Sequence, residues 1–216
     1  MTYEQLISVV EQQLFPLVLR HLMLVGVSVG LAVLIAVPVG IFLTRPRFQS
    51  LGQKVMSFVN IGQAVPSLAI IAIFMPLMGI GVKPAIIALV IYGLLPIARN
   101  TLAGLNSVEE DIKEAARGVG MSNFQVLMKI ELPLASPIII AGIRTSVVVT
   151  VGTAALAFLI GAGGLGRLIF TGIRVLKPDY LLVGSGSAAL LAIIMDRVVG
   201  LIGKLLVPDI PEGGIQ

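Results

Sequence analysis

The stretch Leu22–Leu43, LMLVGVSVGLAVLIAVPVGIFL, runs for 22 residues without a charge. An α-helix needs about 20 apolar residues to cross the hydrocarbon of a bilayer, so this segment reads as a membrane span with some room for tilt. Composition extends that reading to the whole chain. Of its 216 residues 57% are apolar and 12% are charged, and the mean hydropathy is +1.05. A soluble domain carries about 25% charge, so this chain has too little to cover a water-facing surface.

Further spans follow on either side of a polar stretch. Lys54 and Lys83 enclose 28 uncharged residues interrupted by Gln63, Pro66 and Pro76, which predicts a second span kinked or partly unwound near Pro66. Lys83 and Arg99 enclose only 15, enough for a third span if its helix continues past Arg99 with that side chain snorkelling. Pro137 to Ile160 holds a single charge, Arg144, and Tyr180 to about Ile202 carries Asp196 and Arg197 near its far end. The fold expected is an all-α polytopic membrane bundle of about five transmembrane helices. Glu4 to Arg20, apolar at helical spacing, reads as an interfacial helix rather than a signal peptide.

Placing the loop after the first span inside puts ten Lys and Arg on the inner side and five on the outer. That asymmetry predicts a plasma-membrane protein with its N-terminus outside and its C-terminus cytoplasmic.

The charges are not evenly spread. Nine of the 26 lie between Arg99 and Glu131, and five of those nine are acids. Ser107-Val-Glu-Glu110 has the spacing of a capping box and predicts a helix through DIKEAAR, ended by Gly118 or Gly120 in the left-handed conformation. A second box, Ser122-Asn-Phe-Gln125, predicts another short helix that Pro133 stops. A short helix, a glycine turn and a short helix beside the membrane suit docking into a groove of a partner. Ala115, Ala116, Gly118 and Gly120 would allow close approach, with Glu114 and Arg117 as charged handholds. The same residues also fit a solvated loop whose glycines merely turn the chain.

Glu114-Ala115-Ala116, three residues, Gly120, nine residues, Ile130, one residue and Leu132-Pro133 together resemble the EAA motif of permease subunits of binding-protein-dependent ABC transporters. Seven residues of six types at fixed spacing over 20 positions carry that resemblance. It implies that this loop is a coupling helix seated in a cleft of an ABC ATPase subunit, with Glu114, Ala115, Ala116, Arg117, Gly118 and Gly120 at the interface and Ile130, Leu132 and Pro133 completing it. It also implies that ATP and Mg are held by the ATPase, leaving this chain without a cofactor. A second permease copy or a paralogue and an extracytoplasmic substrate-binding protein would complete the assembly. The segments GQAVPSLAIIAIFMPLMGIG, LLPIARNTLAGL and FLIGAGGLGRLIFTGI resemble the osmoprotectant branch, whose members import glycine betaine, carnitine or choline; a methionine-type permease is the rival within the family. On this reading residues 1–21 are an interfacial segment, 22–205 the transmembrane domain with its loop at about 99–136, and 206–216 a tail.

Other chemistries find little support. There is no Cys and one His, so thiol catalysis, zinc knuckles and a histidine-based metal site are not expected. The dispersed basic residues give no nucleic-acid footprint; the expected surroundings are lipid. Gly161-Ala-Gly-Gly-Leu-Gly166 has the spacing of a dinucleotide fingerprint but follows an apolar helix instead of a strand, and Asp179 comes 13 residues after it rather than about 20. No base accompanies Ser185 or Ser187 to make an intramembrane serine enzyme, and an ATP-independent channel would have no use for a docking helix. Gln63, Pro66, Ser67, Ser185 and Ser187 are candidates for the substrate path, although serine in membrane helices often bonds backbone. With no Trp, three Tyr and eight Phe, the chain is poorly equipped to cage a quaternary ammonium tightly.

Overall fold

A computed structural model describes residues 13–62 and 64–206, and among these the regular structure is helical without a strand. Helix α1, Phe15–Leu43, is 29 residues long. It starts seven residues before the span expected at Leu22, so 15–21 continue the first span instead of lying apart on the surface, while 1–12 and the tail from 207 lie outside the described residues. Its buried side is a stripe at helical spacing through Leu17, His21, Leu24, Ser28, Ala32, Ala36 and Gly40.

Next come a 3₁₀ turn at Pro46–Phe48, α2 (Gln49–Gly62) and α3 (Ser67–Met78). The kink expected near Pro66 is a full break: Pro66 has φ −58° and ψ 130°, and α3 restarts after it. Helix α4 (Val82–Asn106) does continue past Arg99. Helix α5 is Glu110–Gly118. Helix α6 (Asn123–Val126), a π turn at Leu127–Glu131, α7 (Leu132–Leu156) and a closing 3₁₀ turn then form one run, Asn123–Ile160, of 38 residues. Pro133 therefore does not stop a helix. It sits in the first turn of α7, where a missing N–H is tolerated, and the wide turn before it takes up the ring. Four residues on, Pro137 cannot donate to the Pro133 carbonyl; the Ser136 hydroxyl does so at 2.6 Å. Helices α8 (Gly166–Arg174) and α9 (Pro178–Leu206) complete the described chain. Helix α1, α4 and the Asn123–Ile160 run are each long and apolar enough to cross a membrane.

The core is the three-way contact of α1, α4 and α7. Leu24, Val25 and Val29 meet Ala85, Ala88 and Leu89 and also Val147, Val151 and Ala154. Glycines set the approach. A Cβ on Gly142 would fall 2.5 Å from the Asn100 Cβ, and one on Gly40 2.5 Å from the Thr101 Cγ2. In contrast Gly26 and Gly30, whose spacing suggests packing in the first span, have open space around them and lie on the exposed side of α1. At the far end of α1, His21 is fully buried. Its Nδ1 accepts from the Leu165 amide at 3.2 Å and its Nε2 donates to the Val151 carbonyl at 3.1 Å, tying α1 to both α7 and the glycine turn at 161–164.

Candidate functional site

The α5–α6 loop is built from local signals that the structure distributes differently from the spacing alone. Ser107 caps the end of α4, donating to the Gly104 carbonyl at 2.8 Å, and the N-cap of α5 is Glu109, which makes no side-chain capping bond. The capping box expected at Ser107–Glu110 is thus not formed, because the serine hydroxyl is already committed backwards. The box at Ser122–Gln125 is formed in both directions. Gly120 ends α5 at φ +88°. Its amide reaches the Arg117 carbonyl at 2.9 Å and the Met121 amide reaches that of Ala116 at 3.1 Å, the bonding pattern of a Schellman turn.

Helix α5 carries Glu110 and Asp111 in its first turn and Arg117 in its last, an order that favours the helix dipole. Lys113 and Arg117 both pair with Glu110, at 2.8 and 3.0 Å. Their hydrogen bonds, that from Lys113 first, hold the Glu110 carboxyl below the usual carboxylate range. Glu114, Ala115, Arg117, Gly118 and Gly120 face outward, whereas Ala116 is buried beneath them. Exposed apolar side chains flank this ridge: Ile112, Val119 at 78% exposure, Phe124 at 70% and Met128. A small-residue ridge edged by bare hydrophobic groups beside the exposed Glu114 carboxylate has the composition of a docking surface.

The second half of the loop is an anchor. Leu132 and Leu127 pack on Leu105, Val108, Ala135 and Ile139, and Ile130 and Pro133 are half-buried. Glu131 lies between these residues, buried at 5% exposure. Arg45, just past the end of α1, donates to both of its carboxylate oxygens, through Nη1 at 3.3 Å and through Nη2. Arg45 is oriented in turn by its Nε bond to the Ile41 carbonyl at 3.2 Å and by Thr44 at 3.0 Å. A polar cavity of about 670 Å³, lined by Arg45, Asn106, Glu109, Lys113, Arg117 and Glu131 among others, separates α5 from the ends of α1 and α4. The Arg45–Glu131 pair was not legible in the sequence; an acid between Ile130 and Leu132 was the one available signal.

Of the path candidates, Gln63 lies outside the described residues. Pro66 is exposed in the α2–α3 break and Ser67 opens α3. Ser185 donates to its own helix at the Leu181 carbonyl, 2.6 Å away, and Ser187 is half-buried on α9. The polar groups at mid-helix are others. Arg144 forks onto Asp196 at 2.8 and 2.7 Å, joining α7 to α9. Tyr92, Arg99, Asn100 and Thr145 line a cavity of about 410 Å³ between α4 and α7. Among the described residues no group of acids and histidines could hold a metal ion.

Residues 36–209 match the model of a family described as the binding-protein-dependent transport system inner membrane component. The chain is 46% identical over 189 residues to the osmoprotectant import permease protein OsmY of Salmonella typhimurium, covering 88% of this chain and 80% of that one. It is 44% identical to the glycine betaine/carnitine/choline transport system permease protein OpuCB of Bacillus subtilis, covering 90% and 88%. Among solved structures, the inward-facing MetNI methionine ABC transporter superposes with a TM-score of 0.73 at 25% identity over 96% of this chain and 98% of that one.

Proposed function

The chain belongs to the family of binding-protein-dependent transport system inner membrane components, and on that premise we propose that it is the permease subunit of an ATP-driven importer for a small osmoprotectant such as glycine betaine, carnitine or choline. The relatives at 44–46% identity carry osmoprotectant names, while the methionine transporter stands at 25%, which supports the former substrate class.

The observation that carries the coupling role is the division of labour in the loop: an exposed ridge at Glu114, Ala115, Gly118 and Gly120, clamped to the bundle by the buried Glu131 and by Leu132. A docking element transmits force only if its base is fixed. Two copies of this chain, or one with a paralogue, would enclose a path between them, and each would offer one α5 to an ATPase subunit that binds ATP and Mg. ATPase closure would push α5 and tilt the bundle as a rigid body between inward and outward access. Substrate would arrive from an extracytoplasmic binding protein, with the N-terminus of this chain outside and the C-terminus in the cytoplasm.

The test is uptake by the complete transporter carrying Glu114→Lys or Gly120→Asp. Both should lower uptake and substrate-stimulated ATP hydrolysis together while the protein still inserts in the membrane. Uptake at the wild-type level in either variant would exclude the coupling role of α5.

A further inference from the structure

We propose that the cavity formed by Tyr92, Arg99, Asn100 and Thr145 is a resting site for the transported molecule, built for a compact zwitterion that joins a carboxylate to a quaternary ammonium. This rests on the osmoprotectant reading above and adds to it the place and polarity of a site within the bundle.

Arg99 is the starting point. It lies on the exposed face of α4, seven residues before the helix ends at Asn106, roughly 10 Å along the axis. It has no ion-pair partner among the described residues. An unpaired guanidinium within a span faces water or a ligand rather than lipid. Snorkelling to the nearer end of α4 runs against helix geometry, because Cα–Cβ bonds tilt toward the N-terminus. That tilt leans Arg99 back toward the turn of Tyr92, which shares its face of the helix two turns earlier.

The surroundings give the cavity its polarity. The adjoining Arg144 and Asp196 line a second cavity that shares Thr145 and Val149 with the first. They cancel each other in their forked bond, so among the residues lining the two cavities Arg99 is the one positive charge without an acid partner. Asn100 has one amide bond committed to the Pro96 carbonyl at 2.9 Å, which fixes its side chain at the rim with its second N–H to spare. A carboxylate therefore meets a forked cation and an amide donor. At the other end Tyr92 offers an aromatic face, which attracts a quaternary ammonium. Pro96, having no N–H, cannot donate to the Tyr92 carbonyl one turn back, so that acceptor adds negative potential at the same end. The volume of about 410 Å³ lies within the range of small-molecule sites. One ring without an enclosing cage suits brief occupancy on a path.

The experiment is uptake by the complete transporter at saturating glycine betaine and, separately, saturating choline, which has the ammonium but no carboxylate. Arg99→Gln should lower the betaine-to-choline uptake ratio by about tenfold or more, the loss expected for one charge-assisted contact, and Arg99→Lys should recover part of it. Thr145→Asp, which sets a carboxylate beside Arg99 without removing it, should lower the ratio in the same direction. An unchanged ratio in Arg99→Gln and Thr145→Asp, whether both uptakes hold or fall together, would overturn the assignment and mark this face as structural or as a contact with the second copy. Wild-type transporter that takes up none of glycine betaine, choline and carnitine would overturn the osmoprotectant reading itself, and this assignment with it.

Discussion

Arg45 and Glu131, 86 residues apart in the chain, form a forked ion pair that fastens the end of the first spanning helix to the base of the α5–α6 loop. The carboxylate is almost wholly buried and the guanidinium about one-third exposed. Under the proposed coupling role a movement of α5 would reach α1 and α7 together, because Glu131 sits directly before α7.

Glu131→Ala leaves Arg45 without its carboxylate partner and should destabilise the protein by about 1.5–3 kcal/mol, the worth of hydrogen bonds to a charged group. Arg45→Ala should cost a similar amount, and the double variant little more than either single one, because one interaction is lost in all three. Thermal denaturation of the purified complex measures the cycle. Fully additive losses would show that the two residues act independently.

Gly118 and Gly120 stand two residues apart but should respond oppositely to alanine. At Gly118 the backbone is helical and a Cβ meets open space, so Gly118→Ala should be neutral or stabilising by up to about 1 kcal/mol. At Gly120 space is also open but φ is +88°, so Gly120→Ala should cost about 1–2 kcal/mol through strain alone. Hydrogen exchange across α5 would read both, with faster exchange in Gly120→Ala and no acceleration in Gly118→Ala.

Asp196→Ala leaves Arg144 without its partner on the outer face of α7. The expected result is a modest loss of thermal stability, because an interhelical hydrogen bond is removed. Replacing both, as Arg144→Leu with Asp196→Leu, should return most of that stability, because neither charge is then left unpaired. A double variant less stable than Asp196→Ala in the same detergent would show that the pair gives α7–α9 packing more than its own bond.

How much of this could be seen beforehand depends on range. The second capping box, the dipole-ordered charges of α5 and the glycine that ends it involve bonds between residues at most seven apart, so the residues that specify them are neighbours in sequence. The first box failed because Ser107 had two acceptable uses, and the end of α4 took it. The expected stop at Pro133 failed because proline forbids an ordinary turn before it but accepts a wide one.

The amino-acid sequence by itself determined the apolar solvent, the long apolar helices, an interruption near Pro66 and the position of the charged loop. Hydropathy, helix length and turn chemistry are properties of consecutive residues. Only the tertiary structure decided which side of each helix is buried. It turned Gly26 and Gly30 outward and Gly40 and Gly142 inward, paired Arg45 with Glu131 and Arg144 with Asp196, and left Arg99 without an ion-pair partner among the described residues, lining one cavity with Tyr92. The spans are apolar nearly all round, so the sequence carries little information on their rotation. That rotation is settled by close packing at glycines and by the cost of leaving a buried charge alone.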